Sequence, residues 1–211
     1  MKIQNGRISV YLFREKVEQE KGDVWQVRSI EVIDNGVGLT EENMLSFRTY
    51  DSRYKLKKGG KGVGRLIWLK VFNSTFISSV YSHDGSKKRR NFNFSLDNQK
   101  AFKNLEVFIE KPNTPFETIV KLDGMRSEYF SKCPKKSDTI SSYVVSHFLK
   151  FLLAPKCPSI LLWDGDEEID LREKAKNGIR KLVEEKITLS NGQVLALSHL
   201  LVSKDVSEKK T

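Results

Sequence analysis

The chain has 211 residues, of which 38% are hydrophobic and 30% charged, and its formal net charge is +10. This length allows one large domain, or one domain with a small appendage, in a soluble globular protein. The longest apolar stretch, residues 143–153, contains polar side chains and is shorter than the roughly 20 residues of a membrane span, and the first residues are too polar for a secretory leader. The sequence therefore predicts a cytoplasmic protein with no membrane partner.

The first elements are two strands and a short helix. Residues 8–13 and 25–33 alternate between apolar and polar side chains, which is typical of strands, and the polar residues 14–23 are predicted to connect them. The second strand ends at Asp34, where Asn35-Gly36 breaks the pattern. Thr40 is a good N-cap with acidic residues after it, which predicts a helix to about Phe47.

Residues 49–61 lack periodicity and carry five Lys or Arg residues, so we expect a mobile basic loop there. A helix is predicted to begin at Gly62. Residues 75–81, 91–96, 105–110 and 116–122 then predict four strands of an antiparallel meander. The predicted fold class is α+β, a mixed and mainly antiparallel sheet with helices on one face.

The character of the sequence changes after Gly124. Residues 137–153 predict a helix that is capped near Ser137 or Asp138, and two hairpins are predicted around residues 164–166 and 190–192. Residues 203–211 are expected to fray. We therefore divide the chain into a domain of residues 1–124 and a C-terminal α/β extension of residues 125–211.

The positive charge lies in three separate clusters. One accompanies the glycines at 59–64, one is Lys87-Lys88-Arg89-Arg90 at a predicted exposed hairpin tip, and one lies at 132–136. Three loops do not form a continuous stripe, which favours solvated surfaces with one cluster serving a phosphate ligand. A basic nucleic-acid-binding module remains the alternative. Cys133 and Cys157 are interpreted as reduced thiols, since the scattered histidines do not complete a zinc site.

The first motif with chemical character is residues 34–38, Asp-Asn-Gly-Val-Gly. A carboxylate at the end of a buried strand can accept a hydrogen bond from the exocyclic amine of adenine, whereas guanine presents a carbonyl there. Gly36 and Gly38 lack a Cβ and let the backbone pass close to a flat base. Taken alone, Asp-Asn-Gly after a strand is more often a simple turn.

The second motif is residues 59–65, Gly-Gly-Lys-Gly-Val-Gly-Arg, which leads into a predicted helix. Glycines expose backbone N–H groups at a helix N-terminus, where the dipole also favours an anion, and Lys61 adds a positive charge. The motif is not a Walker A loop, since Lys61 is followed by Gly62 rather than Ser or Thr. It does not fit a Rossmann fingerprint either, because no strand precedes it. A lone glycine cluster would indicate only a hinge.

The order and spacing of the two motifs resemble the GHKL superfamily of ATPases, also called the Bergerat fold, over about residues 8–122. The resemblance implies a two-layer sandwich, with an ATP lid between the motifs and ATP as the ligand. Members of the superfamily carry a threonine on a later strand, beside the adenine-binding aspartate, and Thr118 resembles that residue. Glu117 stands where the family usually has a glycine, and a threonine in a strand can also reflect β-propensity alone. The resemblance assigns these residues to the nucleotide: Asp34, Gly36, Gly38, Gly60, Lys61, Gly62, Val63, Gly64 and Thr118.

The family's first motif has no match. Members supply a Mg²⁺-ligating asparagine and usually an acidic residue from a helix before the first strand, where this sequence has only Met1–Arg7, and Asn5-Gly6 is a turn signal. The resemblance implies Mg²⁺ bound with the nucleotide, but we assign no residue as its ligand. Because this motif has no match, we expect the chain to bind ATP rather than to hydrolyse it. A histidine kinase is disfavoured, since no phosphoacceptor helix precedes the domain. The extension is expected to relay the nucleotide state to a protein partner or within a homodimer.

Overall fold

The computed structural model describes residues 6–18, 22–49, 64–95 and 101–203. The chain divides into two compact units: unit 1 comprises Met1–Lys135 and Pro158–Glu168, and unit 2 comprises Lys136–Cys157 and Ile169–Thr211. The boundary predicted after Gly124 stays a prediction. The strands are β1 (Arg7–Val17), β2 (Val24–Asp34), β3 (Phe72–His83), β4 (Ser86–Phe94), β5 (Phe102–Ile109), β6 (Thr118–Met125), β7 (Ser159–Asp164), β8 (Glu167–Asp170), β9 (Ile179–Thr188) and β10 (Val194–Val202). The helices are α1 (Glu41–Arg48), α2 (Gly64–Val71), α3 (Ser127–Phe130), α4 (Ser137–Leu152) and α5 (Leu171–Asn177).

Eight strands form one sheet in the order β5-β4-β3-β6-β2-β1-β7-β8, and β9 and β10 form a separate pair. The β1–β2, β2–β6, β3–β6, β3–β4 and β4–β5 ladders are antiparallel, whereas β1 and β7 run parallel. The sheet is therefore mixed and mainly antiparallel, and the predicted α+β class is confirmed. The predicted meander corresponds to β3–β6, although β6 lies inside the sheet between β3 and β2.

The polar composition of residues 14–23 predicted a connection, but β1 continues to Val17. The register shifts between Phe13 and Arg14, as at a β-bulge. The side chain of Arg14 then pairs with Asp164 at the end of β7, at 2.6 Å, and both side chains are largely buried. This ion pair, together with the backbone ladder, allows polar residues to remain in a strand.

Helices α1 and α2 pack on one face of the sheet. Their buried residues Met44 and Leu69 contact Ile77 of β3 and Phe92 and Phe94 of β4 in one hydrophobic cluster. Ile77 and Phe92 are register partners and share a face, as period-two alternation requires. Burial of each such side chain stabilises the fold by about 1.5–3 kcal/mol. This cluster fixes both helices next to the end of β2.

In unit 2, α4 begins without the predicted side-chain cap. Its N-cap is Lys136, and the Asp138 carbonyl instead accepts hydrogen bonds from the hydroxyls of Ser141 and Ser142. Helix α5 was not predicted, because its seven residues follow a strand directly. Asp170 caps it, accepting from two backbone N–H groups. Within the described ranges, no helix has the length and apolar character needed to cross a membrane.

Candidate functional site

Asp34 is the last residue of β2, and the residues that follow it, here called the Asp34 loop (residues 34–40), lead into α1. The register pairs Asp34 with Ile8 of β1 on one side and with Thr118 of β6 on the other. Its carboxylate oxygen Oδ1 accepts a hydrogen bond from the Gly36 N–H at 2.8 Å. The sheet and this short turn together hold the half-buried carboxylate at the strand end.

Gly36 and Gly38 are tightly enclosed by protein atoms. A Cβ on Gly36 would lie 2.6 Å from the Asp34 carboxylate oxygen, and one on Gly38 would lie 2.3 Å from the carbonyl oxygen of Val80. Gly38 also has a φ of +75°, which L-residues rarely adopt. Sequence reasoning explained both glycines by the approach of a base. The geometry adds a reason that comes from the protein itself, which is that the loop packs directly against β3.

Thr118 and Ser79 form a pair of hydroxyl groups beside Asp34. Ser79 of β3 is the register partner of Thr118, and their hydroxyl oxygens share a hydrogen bond of 3.0 Å. Ser79 is fully buried, at 0% exposure, and also accepts a hydrogen bond from the Leu39 N–H at 2.8 Å. The neighbourhood of Asp34 and Thr118 is as the resemblance implied, whereas Ser79 was missed. Its signal was its place two residues after Ile77, on the same face of the strand.

The Asp34 loop passes into α1 through side-chain contacts. The Thr40 hydroxyl accepts from the Asn43 N–H at 3.2 Å, so the predicted N-cap is confirmed. The Asn43 amide then donates back to the Gly38 carbonyl at 2.8 Å. On the other side, the side-chain oxygen Oδ1 of Asn35 accepts from the Arg7 N–H at 2.7 Å. The loop is thus bonded both to the helix that follows it and to the start of β1.

Arg90 was predicted at an exposed hairpin tip, and this prediction is wrong. The tip is the two-residue turn Asp84-Gly85, whose φ values of 49° and 76° suit a tight hairpin, and β4 begins at Ser86. Arg90 is only 5% exposed. Its guanidinium donates to the Leu39 carbonyl at 2.9 Å and to Glu41 at 2.5 Å. The missed signal was the period-two spacing that places Arg90 on the same face of β4 as the buried Phe92 and Phe94.

Arg89 and Lys87 of this basic cluster also have partners within the protein. Arg89 donates to Glu110 at 2.6 Å, and its guanidinium contributes most to holding the pKa of that carboxyl below its ordinary value. Lys87 donates to the Thr114 carbonyl and lies over the ring of Phe116, 4.7 Å from its centroid. Three of the four basic residues are therefore engaged by partners within the fold.

The predicted phosphate residues Gly60, Lys61, Gly62 and Val63 lie outside the described residues. Gly64 is described and begins α2, and apart from its chain neighbours and the backbone of α2 no atom of the described residues lies within 4 Å of the position that its Cβ would take. The next residue, Arg65, donates to the Thr49 carbonyl at 2.7 Å and lies 5.3 Å above the centroid of the Phe47 ring. Burial lowers the pKa of Arg65. The start of α2 is thereby joined to the end of α1.

The side chains at the end of β2 can both accept and donate hydrogen bonds. The Asp34 carboxylate accepts them, and the hydroxyl of Thr118 can donate or accept. Across the described portions of the chain, no group of three or more His, Cys, Asp or Glu side chains is arranged to hold a metal ion. Accordingly, no Mg²⁺ ligand is assigned.

The sequence matches no protein-family model and no curated protein. The structure, however, is similar to the ATPase region of Saccharomyces cerevisiae topoisomerase II, with a TM-score of 0.50 and 16% identity over 85% of this chain and 48% of that one. It also matches the 43K ATPase domain of Thermus thermophilus gyrase B, solved with an aminocoumarin, at a TM-score of 0.45, with 18% identity over 88% and 49% of the two chains. The Aquifex aeolicus MutL ATPase domain, solved with ADP, matches at a TM-score of 0.42, with 14% identity over 86% and 64%.

The match to the yeast ATPase region shows the fold of the chain. The mixed sheet with helices on one face has the fold of that ATPase region, which is the Bergerat-type fold that the two glycine motifs predicted. The chain spans about half the length of the topoisomerase and gyrase structures that it matches.

Proposed function

We propose that this GHKL-fold chain binds ATP, with the adenine recognised at the end of β2 by Asp34. The observation that carries the proposal is the hydrogen-bonded group at that strand end, in which Thr118 lies opposite Asp34 and shares a hydrogen bond with Ser79. A buried strand end that carries a carboxylate between two strands is well suited to read one edge of a base. The fold supports the same conclusion.

In this proposal the Asp34 carboxylate accepts a hydrogen bond from the exocyclic amine of adenine, and the hydroxyl of Thr118 supports the base. Gly36 and Gly38 keep the loop close to the sheet. Guanine presents a carbonyl oxygen where adenine presents its amine, and two acceptors facing each other repel. The site therefore prefers adenine nucleotides to guanine nucleotides.

The phosphates belong, in the same proposal, to residues 60–64. Gly60, Gly62 and Gly64 would expose backbone N–H groups before α2, and Lys61 would supply a positive charge. Mg²⁺ bound with the nucleotide would offset phosphate charge, but no described residue is assigned to hold it. The proposal accordingly covers binding of the nucleotide. Hydrolysis is not part of it.

We further propose that nucleotide binding drives a conformational change that residues 125–211 relay to a protein partner or a second copy. The boundary at 124/125 is retained as part of this proposal. Helix α2 follows the phosphate segment directly, and its first turn is tied to α1 through Arg65. A shift of residues 60–64 would therefore displace both α1 and α2.

The test is a calorimetric titration of the chain with ATP, ADP and GTP, with and without Mg²⁺. Asp34→Asn should weaken ATP binding by about tenfold to a hundredfold, since a hydrogen bond to a charged group contributes about 1.5–3 kcal/mol. It should also reduce the preference for ATP over GTP. Asp166→Asn, in the exposed β7–β8 turn, is the matched control and should leave binding unchanged. Gly62→Ala combined with Gly64→Ala should weaken ATP and ADP but not adenosine.

The proposal fails if the unmodified chain does not bind ATP in this titration, or if Asp34→Asn behaves like the control. Tight binding of DNA or RNA without ATP, falling steeply with salt, would instead support the nucleic-acid-binding alternative.

A further inference from the structure

We propose that Ser79 and Arg90, two buried residues that need not touch the nucleotide, position the Asp34 loop for adenine recognition. The inference rests on the proposed function and adds to it two residues of the β3–β4 hairpin. It starts from Leu39, whose backbone N–H and C=O groups are both bonded to side chains of that hairpin.

The backbone of Leu39 is bonded to both strands of the hairpin. Its N–H donates to the Ser79 hydroxyl at 2.8 Å, and its carbonyl accepts from the Arg90 guanidinium at 2.9 Å. Surface loops usually leave such groups to water, which imposes little geometry. Here two side chains from a sheet fix the peptide groups on both sides of one residue. The loop is therefore held in one conformation before any ligand arrives.

Arg90 is itself held by several contacts. Its guanidinium lies 4.5 Å from the centroid of the Tyr81 ring and donates to the Tyr81 hydroxyl at 2.9 Å. It also donates to Glu41, in the first turn of α1, at 2.5 Å. A buried arginine that moved away would leave its charge unpaired, at a large cost. The planar fork reaches Leu39 and Glu41 at once, which the single ammonium group of a lysine cannot reproduce.

Ser79 also links the loop to the two residues proposed to read the base, Asp34 and Thr118. The Ser79 hydroxyl shares its hydrogen bond with Thr118, and Thr118 is the register partner of Asp34. Ser79 thus contacts the loop after Asp34 and the strand beside Asp34. Removal of its hydroxyl would loosen Leu39 and would also leave Thr118 without this partner.

The consequence is that adenine affinity depends on preorganisation by residues distant in sequence from the motif. A loop that must be ordered upon binding uses part of the binding free energy for that ordering. Variants of Ser79 and Arg90 should therefore weaken nucleotide binding by weakening the recognition of adenine, while the contribution of the phosphates to the binding affinity stays unchanged. A purely structural role would lower stability without changing the preference for adenine over guanine.

The experiment compares Ser79→Ala and Arg90→Lys with Ser78→Ala and Arg89→Lys as matched controls. The controls lie on the opposite face of the same strands, where Arg89 donates to Ser78 and to Glu110. For each folded variant, titration gives the Kd for ATP, GTP and tripolyphosphate. Hydrogen exchange gives the protection of the Leu39 amide in the absence of nucleotide. Arg90→Lys keeps a positive charge, and Ser79→Ala removes one atom, so at least one variant is expected to fold.

We expect Ser79→Ala and Arg90→Lys to raise the Kd for ATP by about tenfold, as the loss of one well-formed hydrogen bond would. The ATP-to-GTP preference should fall, tripolyphosphate binding should stay within about twofold, and the Leu39 amide should exchange faster in Ser79→Ala. The controls should match the unmodified chain in every ligand measurement.

Two results would overturn the inference in distinguishable ways. If the unmodified chain prefers ATP to GTP but both variants bind ATP as the controls do, the inference is wrong and the proposed function stands. If the unmodified chain binds no ATP, the proposed function fails and the inference fails with it.

Discussion

The substitution Gly38→Ala tests the geometry of the Asp34 loop most directly. Gly38 has a φ of +75°, and an added Cβ would lie 2.3 Å from the Val80 carbonyl oxygen and 2.9 Å from the Ser79 hydroxyl. The nearest atom belongs to the backbone of a strand inside the sheet, so it cannot rotate away as a side chain could. The loop must lift from β3 instead.

Three contributions give the size of the effect. Alanine at a left-handed φ costs about 1–2 kcal/mol. Lifting the loop also weakens the hydrogen bonds from the Leu39 N–H to Ser79 and from Asn43 to the Gly38 carbonyl, each contributing about 0.5–1.5 kcal/mol. The free energy of unfolding should therefore fall by about 2–5 kcal/mol, which moves a urea midpoint by about 1–2 M.

Gly85→Ala is the matched control for this prediction. Gly85 has almost the same φ, +76°, but no atom lies within 4 Å of its Cβ position. It should therefore lose only the conformational contribution, about 1–2 kcal/mol. The difference between the two variants isolates the contact with Val80.

Urea denaturation followed by tryptophan fluorescence provides the measurement. The three tryptophans, Trp25, Trp68 and Trp163, all belong to unit 1, so the signal reports the unit that contains the loop. If Gly38→Ala destabilises unit 1 no more than Gly85→Ala does, the close packing of the loop against β3 is refuted.

Two further predictions concern ion pairs. Burial raises the pKa of the Glu41 carboxyl, but the hydrogen bond and charge of Arg90 outweigh burial, so the pKa lies below its ordinary 4.5. This stabilisation is present above the unfolded pKa and lost as the pH falls through the folded one. Unfolding at pH 7 should then separate the unmodified chain from Glu41→Gln by at most about 1 kcal/mol, because Glu41 is largely exposed and the glutamine amide oxygen can still accept a hydrogen bond from Arg90. The difference should shrink below about pH 4, and a gap that grows on acidification would contradict this. Asp164→Ala should cost unit 1 about 3–5 kcal/mol in the same urea assay, since it leaves Arg14 buried and unpaired. Replacing both, with Arg14→Met and Asp164→Leu, should recover most of the loss, and a double variant as unstable as the single one would show that the pair itself is required.

Elements fixed by neighbouring residues could be predicted from the sequence. The Thr40 cap depends on a residue three positions away, and the end of β2 at Asp34 depends on the Asn35-Gly36 that follows. The hairpin at Asn191-Gly192 joins β9 and β10 as predicted. In each case the residues that determine the structure lie a few positions apart in the sequence.

Contacts between distant segments could not be predicted in the same way. Arg90 belongs to a run of four basic residues, and such a run usually lies in solvent. Whether it is buried depends on the register of β4 against β3, which the Asp84-Gly85 turn sets. Ser79 acquires its role only because β6 pairs with β3 and brings Thr118 opposite it. The motif at residues 34–38 could therefore be identified from the sequence, whereas the contacts of Ser79 and Arg90 with the Asp34 loop required the structure of the sheet.

The parallel pairing of β1 with β7 has a consequence for how the chain folds. Arg7 pairs with Ser159, so β1 cannot complete its pairing until β7, which lies about 150 residues later in the chain, has been synthesised. Closing so long a loop is slow, because its entropy is lost before the contact is gained. Until β7 arrives, β1 is an open edge beside the Asp34 loop, and such edges recruit other strands. During synthesis, the Asp34 loop therefore lies next to a strand edge that is open to mispairing.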